Sequence, residues 1–297
     1  MFLRSKHGVL TVNSHSPHGE ITVSLAPLPL PLAAAYNPNR MSFPRSLLLA
    51  AACAALLLPG PLARSAPAQT PTQTPAPPVF RVQPVRPVDE LRRLAATEQP
   101  PPKQGAFLPF DLIDLTGLDP LIRLDIRYAT ANNFLGTPLY TEARAVMQRS
   151  AAEALERAHR QLQKQGYGLL IHDGYRPWAV TWIFWQATPA DKHQFVANPA
   201  TGSRHNRGCA VDLALYDLKT GRPVEMPSLY DEMTERASPN FTGGTADQRR
   251  LRDLLRSAME AEGFTVESNE WWHFDYKEWR RYQIGNVSFD SVARPKP

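Results

Sequence analysis

Between Pro59 and Pro102 the chain carries twelve prolines, set among Ala, Gln and Thr in runs such as PAQTPTQTPAPP. Each proline lacks the N–H that a helix or a sheet ladder needs, so the stretch predicts an extended linker. It divides the 297 residues unequally. Residues 1–66 form a leader, residues 67–104 the linker, and residues 105–297 remain to build a single folded domain, enough for one core of ordinary size.

In the leader, MSFPRSLLLAAACAALLLPGPLARSAPAQT (residues 41–70) places Arg45 ahead of an uncharged apolar run from Leu47 to Leu58, followed by small residues near Ala63 and Ser65. This is the grammar of a secretory signal peptide and predicts an exported protein, periplasmic or secreted. Such a short run does not cross a bilayer comfortably, so no stable membrane span is expected. A signal belongs at the start of a chain, which makes Met41 a candidate initiator. Lipid attachment at Cys53 is the minor alternative, because Ala50–Ala52 is a poor cleavage context and the apolar run continues behind it. After processing Cys209 is the remaining thiol, so no intramolecular disulfide is expected.

Most of the formal charge of +5 also belongs to the leader: residues 1–66 hold five Lys/Arg and one Glu, and removing them leaves +1. A nearly neutral remainder has no concentrated basic face, and nucleic acid is not an expected partner. The oligomeric state is left open.

Periodicity places the elements. S-A-A-E from Ser150 reads as a capping box, and Ala151, Leu155, Ala158 and Leu162 recur at helical spacing until Gly166. GYGLLIHDGYRP (166–177) reads as a short buried strand and a turn, after which Pro177 opens a helix with PWAVTWIFWQAT. Trp178, Trp182 and Trp185 on it are expected in the core or a cavity wall. CAVDLAL (209–215) alternates like a half-buried strand. T-A-D-Q (245–248) caps a second long helix with Leu251, Leu254, Leu255, Ala258 and Met259 on one stripe, and FTVES with WWHFDY reads as a closing pair of strands. Strands and helices do not alternate strictly. The expected fold is α+β, a mainly antiparallel sheet flanked by helices.

Asp212 is the residue that most needs explaining, because a carboxylate inside an apolar strand costs several kcal/mol unless it is paired or bound to a metal. His205 precedes it across Asn206-Arg207-Gly208, where glycine lets the chain fold back. His273 on the last strand supplies a third group. Two imidazoles and one carboxylate leave a tetrahedral Zn²⁺ one open position, as a catalytic site requires. Glu270 precedes His273 by three, so on an ideal strand the two side chains would point to opposite faces, and one of them must sit at a bend. Glu270 is expected at the strand entrance as general base. Arg176, at a strand-to-helix turn, is the candidate cation for a developing oxyanion. His159 is expected on the exposed stripe of its helix, His193 in a polar loop, and His172 in a structural role. Cys209 has the strand parity opposite to Asp212 and is expected to pack.

S-R-H-N-R-G-C-A-V-D and E-W-W-H resemble the S-x-H-x-x-G-x-A-x-D and E-x-W-H motifs of the zinc D-alanyl-D-alanine dipeptidases, the group that contains the vancomycin-resistance enzyme. DIRYATANNFLG, QGYGLLIHDGYRP, LALYDLKTG and EMPSLYDEMTERAS resemble the same family in the same order, from about Phe107 to Tyr276. The resemblance implies a zinc D,D-peptidase-like catalytic domain with one Zn²⁺ per chain on His205, Asp212 and His273. It implies Glu270 as base and Arg176 at the scissile carbonyl, with a small D,D-dipeptide as substrate. It further implies that Asp231 faces the substrate ammonium with Tyr128 nearby, and that Ser203 holds the other end. Arg204 departs from it, standing where a small polar residue is expected, and is assigned to solvent ahead of a substrate carboxylate. The implied activity is hydrolysis of D-alanyl-D-alanine to two D-alanines in cell-wall turnover or scavenging. The alternatives are a D,D- or L,D-carboxypeptidase acting on peptidoglycan stem peptides, and a non-catalytic zinc-dependent cell-wall-binding module.

Overall fold

The computed structural model describes residues 79–294 and, in the leader, an antiparallel pair of short strands, β1 (Ser5–Lys6) and β2 (Val9–Leu10). The chain divides into two compact units, Met1–Thr70 and Pro71–Pro297, and the second carries every residue singled out above as a site candidate. The signal-like run, Met41, Cys53 and the first part of the proline-rich stretch lie outside the described residues.

Strands β3 (Leu112–Asp114) and β5 (Val146–Gln148) form a small antiparallel pair. Five others, β4 (Arg123–Leu124), β6 (Tyr167–Asp173), β7 (Ala210–Asp217), β9 (Glu270–Tyr276) and β8 (Phe264–Glu267), lie side by side in that order. Within this sheet β4 and β6 run parallel and every other neighbouring pair is antiparallel, so the fold is α+β and mainly antiparallel as the sequence indicates. Central β7 is buried on both faces as far as Tyr216, where alternation alone predicted one wet face.

Helix α2 (Arg149–Gln163) turns Ala151, Ala154, Leu155, Ala158 and Leu162 inward and packs against β6 and α4 (Ala246–Ala261). Small side chains let these layers approach closely, and truncating the fully buried Leu155 to Ala costs about 2–5 kcal/mol. In α4 the predicted capping box forms: Gln248 N donates to Thr245 Oγ1 at 3.1 Å and Thr245 N to Gln248 Oε1 at 2.9 Å. In α2 it does not. That helix starts one residue before Ser150, and Gln148 at its cap accepts from Asp111 N and donates to Arg207 O, joining three segments instead of capping one.

Two expectations are corrected. Residues 88–95 of the predicted linker form helix α1 (Val88–Ala95), which buries Val88, Leu91 and Ala95 against α3 (Trp178–Ala187). Its prolines fall at 84 and 87 and again at 100–102, leaving a proline-free amphipathic window whose first turn Pro87 can precede at no cost. His159 is fully buried, not exposed. Its Nε2 lies 3.0 Å from Gln163 Nε2 and 3.7 Å from Asp119, whose segment covers that flank of α2. Burial lowers the His159 pKa, with Asp119 opposing.

Candidate metal centre

Register brings the first two ligand candidates together: Asp212 on β7 pairs directly with His273 on β9, and partners of that kind place their side chains on one face, a few ångströms apart. Both neighbours of β7 are irregular beside this pair. On β6 the register slips at His172, so that Asp173 comes opposite Asp212. On the β8–β9 side it slips beyond Val266, and Glu267 pairs with Glu270. The second irregularity is the bend that the Glu270–His273 spacing demanded, and it brings Glu270 Oε2 to 3.7 Å from His273 Nδ1.

His205 arrives from a one-turn helix, His205–Arg207, closed by Gly208 at φ 68°. A Cβ on Gly208 would meet Leu112 at 2.6 Å, so the glycine serves both the left-handed turn and the close packing behind it. Asn206 ties this turn to that of Arg176 by donating to Arg176 O and Thr181 Oγ1, both at 2.8 Å.

Three atoms then converge. His205 Nε2 is 3.2 Å from Asp212 Oδ1, His273 Nδ1 is 3.0 Å from the same oxygen, and the two nitrogens are 3.1 Å apart. The outer nitrogens are already engaged: His205 Nδ1 lies 2.6 Å from Gly174 O and His273 Nε2 lies 3.0 Å from Asp275 Oδ1. A metal-loaded trio requires the outer nitrogens to carry the ring protons, which turns the inner lone pairs of both rings toward a carboxylate oxygen. Three facing lone pairs repel one another unless a cation sits among them. A tetrahedral ion with bonds of about 2.0–2.2 Å separates its ligands by roughly 3.3–3.6 Å, close to the spacing found, so the trio fits a divalent metal. A second acid–histidine group, Glu267, His273 and Asp275, lies alongside; the Arg204 guanidinium stands against both of its carboxylates, so the protein supplies that cation itself.

All eight residues singled out from the sequence line one cavity of about 230 Å³, which takes in Arg176, Tyr128, Ser203, Asp231 and Glu270 beside the trio. Arg176 is buried, donates through Nε to Asp173 Oδ2 at 2.9 Å, lies 3.6 Å from Asp212 through Nη2, and covers the Tyr128 and Phe184 rings. It pairs with Asp173 and faces the site at once. Ser203 Oγ accepts from His205 N at 3.1 Å, a local loop bond made at the cavity wall. Asp231 adopts φ 59°, an unusual conformation for a non-glycine residue. Cys209 is buried and packs, its thiol pushed up to about 12 by burial.

Sequence reasoning passed over Tyr230, whose hydroxyl donates to Asp212 Oδ2 at 2.9 Å and lies 3.1 Å from Tyr128 Oη; Tyr128 in turn lies 2.9 Å from Asp231 Oδ1. Two phenolic protons thus reach the two carboxylates, that of Tyr230 on Asp212 and that of Tyr128 on Asp231, whose oxygens lie 2.9 and 3.1 Å from the Tyr128 hydroxyl. Burial, reinforced by Asp212, pushes the Asp231 carboxyl up to about 8. Glu270 is likewise pushed up to about 8, by burial first and by Asp212 and Asp231, with His273 opposing. Asp275 was also passed over, although its spacing of two from His273 puts both on one strand face.

The family model described as peptidase M15, D-ala-D-ala dipeptidase, matches residues 110–283. The chain belongs to that family. It is a metallopeptidase, and relatives of known name resemble it. The D-alanyl-D-alanine dipeptidase of Escherichia coli K12 is 34% identical over 62% of this chain and 94% of its own length. Those of Enterococcus faecium and Enterococcus faecalis are 39% and 37% identical, over 54% and 52% of this chain and 91% and 85% of their own. A solved structure described as the LdcB LD-carboxypeptidase is a distant likeness, over 50% of this chain and 71% of its own at 20% identity and TM-score 0.30.

Proposed function

We propose that this chain hydrolyses D-alanyl-D-alanine to two D-alanines with one Zn²⁺ held by His205, Asp212 and His273. The observation that carries the reading is the inward convergence of those three atoms at 3.0–3.2 Å inside a cavity that also holds Glu270, Arg176 and Asp231. When bound, zinc supplies a Lewis acid and lowers the pKa of water to roughly 7. Glu270 takes the proton of the attacking water on its carboxylate and returns it to the departing amine, a task suited to a carboxyl raised toward neutrality. Arg176, fixed by Asp173, offers its remaining N–H groups to the oxygen of the scissile carbonyl. Asp231 receives the substrate ammonium, with Tyr128 orienting the carboxylate, and Ser203 steadies the opposite end.

A cavity of about 230 Å³ is smaller than the roughly 300–1,000 Å³ of drug-sized sites and suits a dipeptide better than a peptidoglycan stem. The signal-like leader supports export to the periplasm or beyond, and with it scavenging of released dipeptide. Cell fractionation tests this, and a cytosolic enzyme would refute it. For the reaction, the full-length protein is assayed on D-Ala-D-Ala, L-Ala-L-Ala and a stem peptide ending in D-Ala-D-Ala. Hydrolysis of the D,D-dipeptide that a chelator abolishes and zinc restores is expected. Cleavage of the stem alone, or activity indifferent to the chelator, would overturn the reading.

A further inference from the structure

Among the described residues lining the cavity, Arg176 and Arg204 carry permanent positive charge. Arg176 is committed, with Nε and Nη2 both on Asp173. Arg204 is placed differently. Its guanidinium rests over the Trp279 ring at 5.1 Å, with Nε 3.2 Å from Asp275 Oδ2 but out of line for a hydrogen bond, and Nη1 4.0 Å from Glu267. One ring face and two carboxylates thus hold the group in position while its planar fork is open to another acceptor. Contacts lead from Arg204 through Asp275 to His273, and from Asp212 through Tyr230 and Tyr128 to Asp231. Arg204 and Asp231 thus stand at the two ends of one run of contacts that passes through the ligand trio, and both line the same cavity.

At neutral pH a dipeptide carries an ammonium at one end and a carboxylate at the other. With the ammonium at Asp231 and the peptide carbonyl at the trio, the carboxylate extends toward Arg204. We propose that Arg204 recognises the free carboxylate of the substrate and so restricts the enzyme to peptides that end one residue after the scissile bond. The inference rests on the dipeptidase reading above. A planar guanidinium can take a carboxylate by two charge-assisted hydrogen bonds, which a hydroxyl or amide cannot match.

The test compares zinc-loaded parent, Arg204→Gln and Arg204→Lys on D-Ala-D-Ala and on D-Ala-D-alaninamide, whose carboxylate is replaced by a neutral amide. Arg204→Gln should raise KM for the free acid roughly tenfold to hundredfold with kcat much less changed. The amide should lose far less, Arg204→Lys should keep part of the preference, and zinc content should stay at the parent value. Equal losses on both substrates, an unchanged KM for the free acid, or loss of zinc through Asp275 and His273 would overturn the proposal. Should the parent cleave neither compound, the dipeptidase reading fails on its own. Calorimetric binding of D-Ala-D-Ala then decides, and equal affinity for parent and Arg204→Gln would overturn the assignment of Arg204.

Discussion

Asp212 and His273 face each other across two hydrogen-bonded strands, whereas the Tyr128–Asp231 contact that borders the substrate cavity joins segments about a hundred residues apart. The ligand face is fixed by register and by backbone partners such as Gly174 O. The substrate rim is fixed by a relay of hydroxyls and rings, Tyr230 over His172 and Tyr128 over Phe184. A strand pair specifies its cross-strand neighbours locally. A relay exists only once distant segments have met.

Four measurements press on that contrast. The largest effect is expected from His273→Ala, which should remove stoichiometric zinc and all measurable activity, because the remaining pair leaves a buried carboxylate half-partnered; zinc retained by metal analysis would break the assignment of the ligand face. Next, Glu270→Gln should keep zinc but lower kcat by about 10²–10⁴, the range for a lost general base. Unchanged activity with zinc bound would remove Glu270 from that role.

Asp231→Asn tests the rim. It should keep both fold and zinc and lower kcat/KM for the dipeptide by about tenfold to hundredfold, the loss of one charge-assisted contact. A stem-peptide hydrolase would hardly notice the change, so an unaffected variant points to the carboxypeptidase alternative. The smallest effect concerns His172 beneath Tyr230. Burial, aided by Arg127, depresses its pKa to about 4, below the unfolded value of about 6.5. The folded chain therefore binds fewer protons in that window. Stability is fully present above about pH 6.5 and declines as pH falls toward 4, by up to about 3 kcal/mol from this residue. Urea unfolding across that range should show a shallower decline in His172→Gln, and parallel curves would refute the contribution.

Legibility followed the same division. That His205, Asp212, His273 and Glu270 come together could be anticipated from the sequence, because a carboxylate in an apolar strand, a glycine turn and an E-x-x-H spacing are local signals. The antiparallel sheet and the α4 cap were local too. Tyr230 and Asp173 were not visible as site residues. Tyr230 depends on which loop covers β7, and Asp173 reaches Asp212 only through a register slip that no pattern in GYGLLIHDGYRP announces. Helix α1 and the burial of His159 were misread for a related reason, since both depend on what packs against them. Arg204 was assigned to solvent because nothing in its own segment reveals Trp279 or Asp275 beside it.

The direct pairing of Asp212 with His273 has one more consequence. Side chains alternate along a strand, so slipping β7 by a single residue against β9 would present Val211 or Leu213 to the imidazoles and turn the carboxylate to the opposite side. A misassembled molecule would then be unable to load its ion.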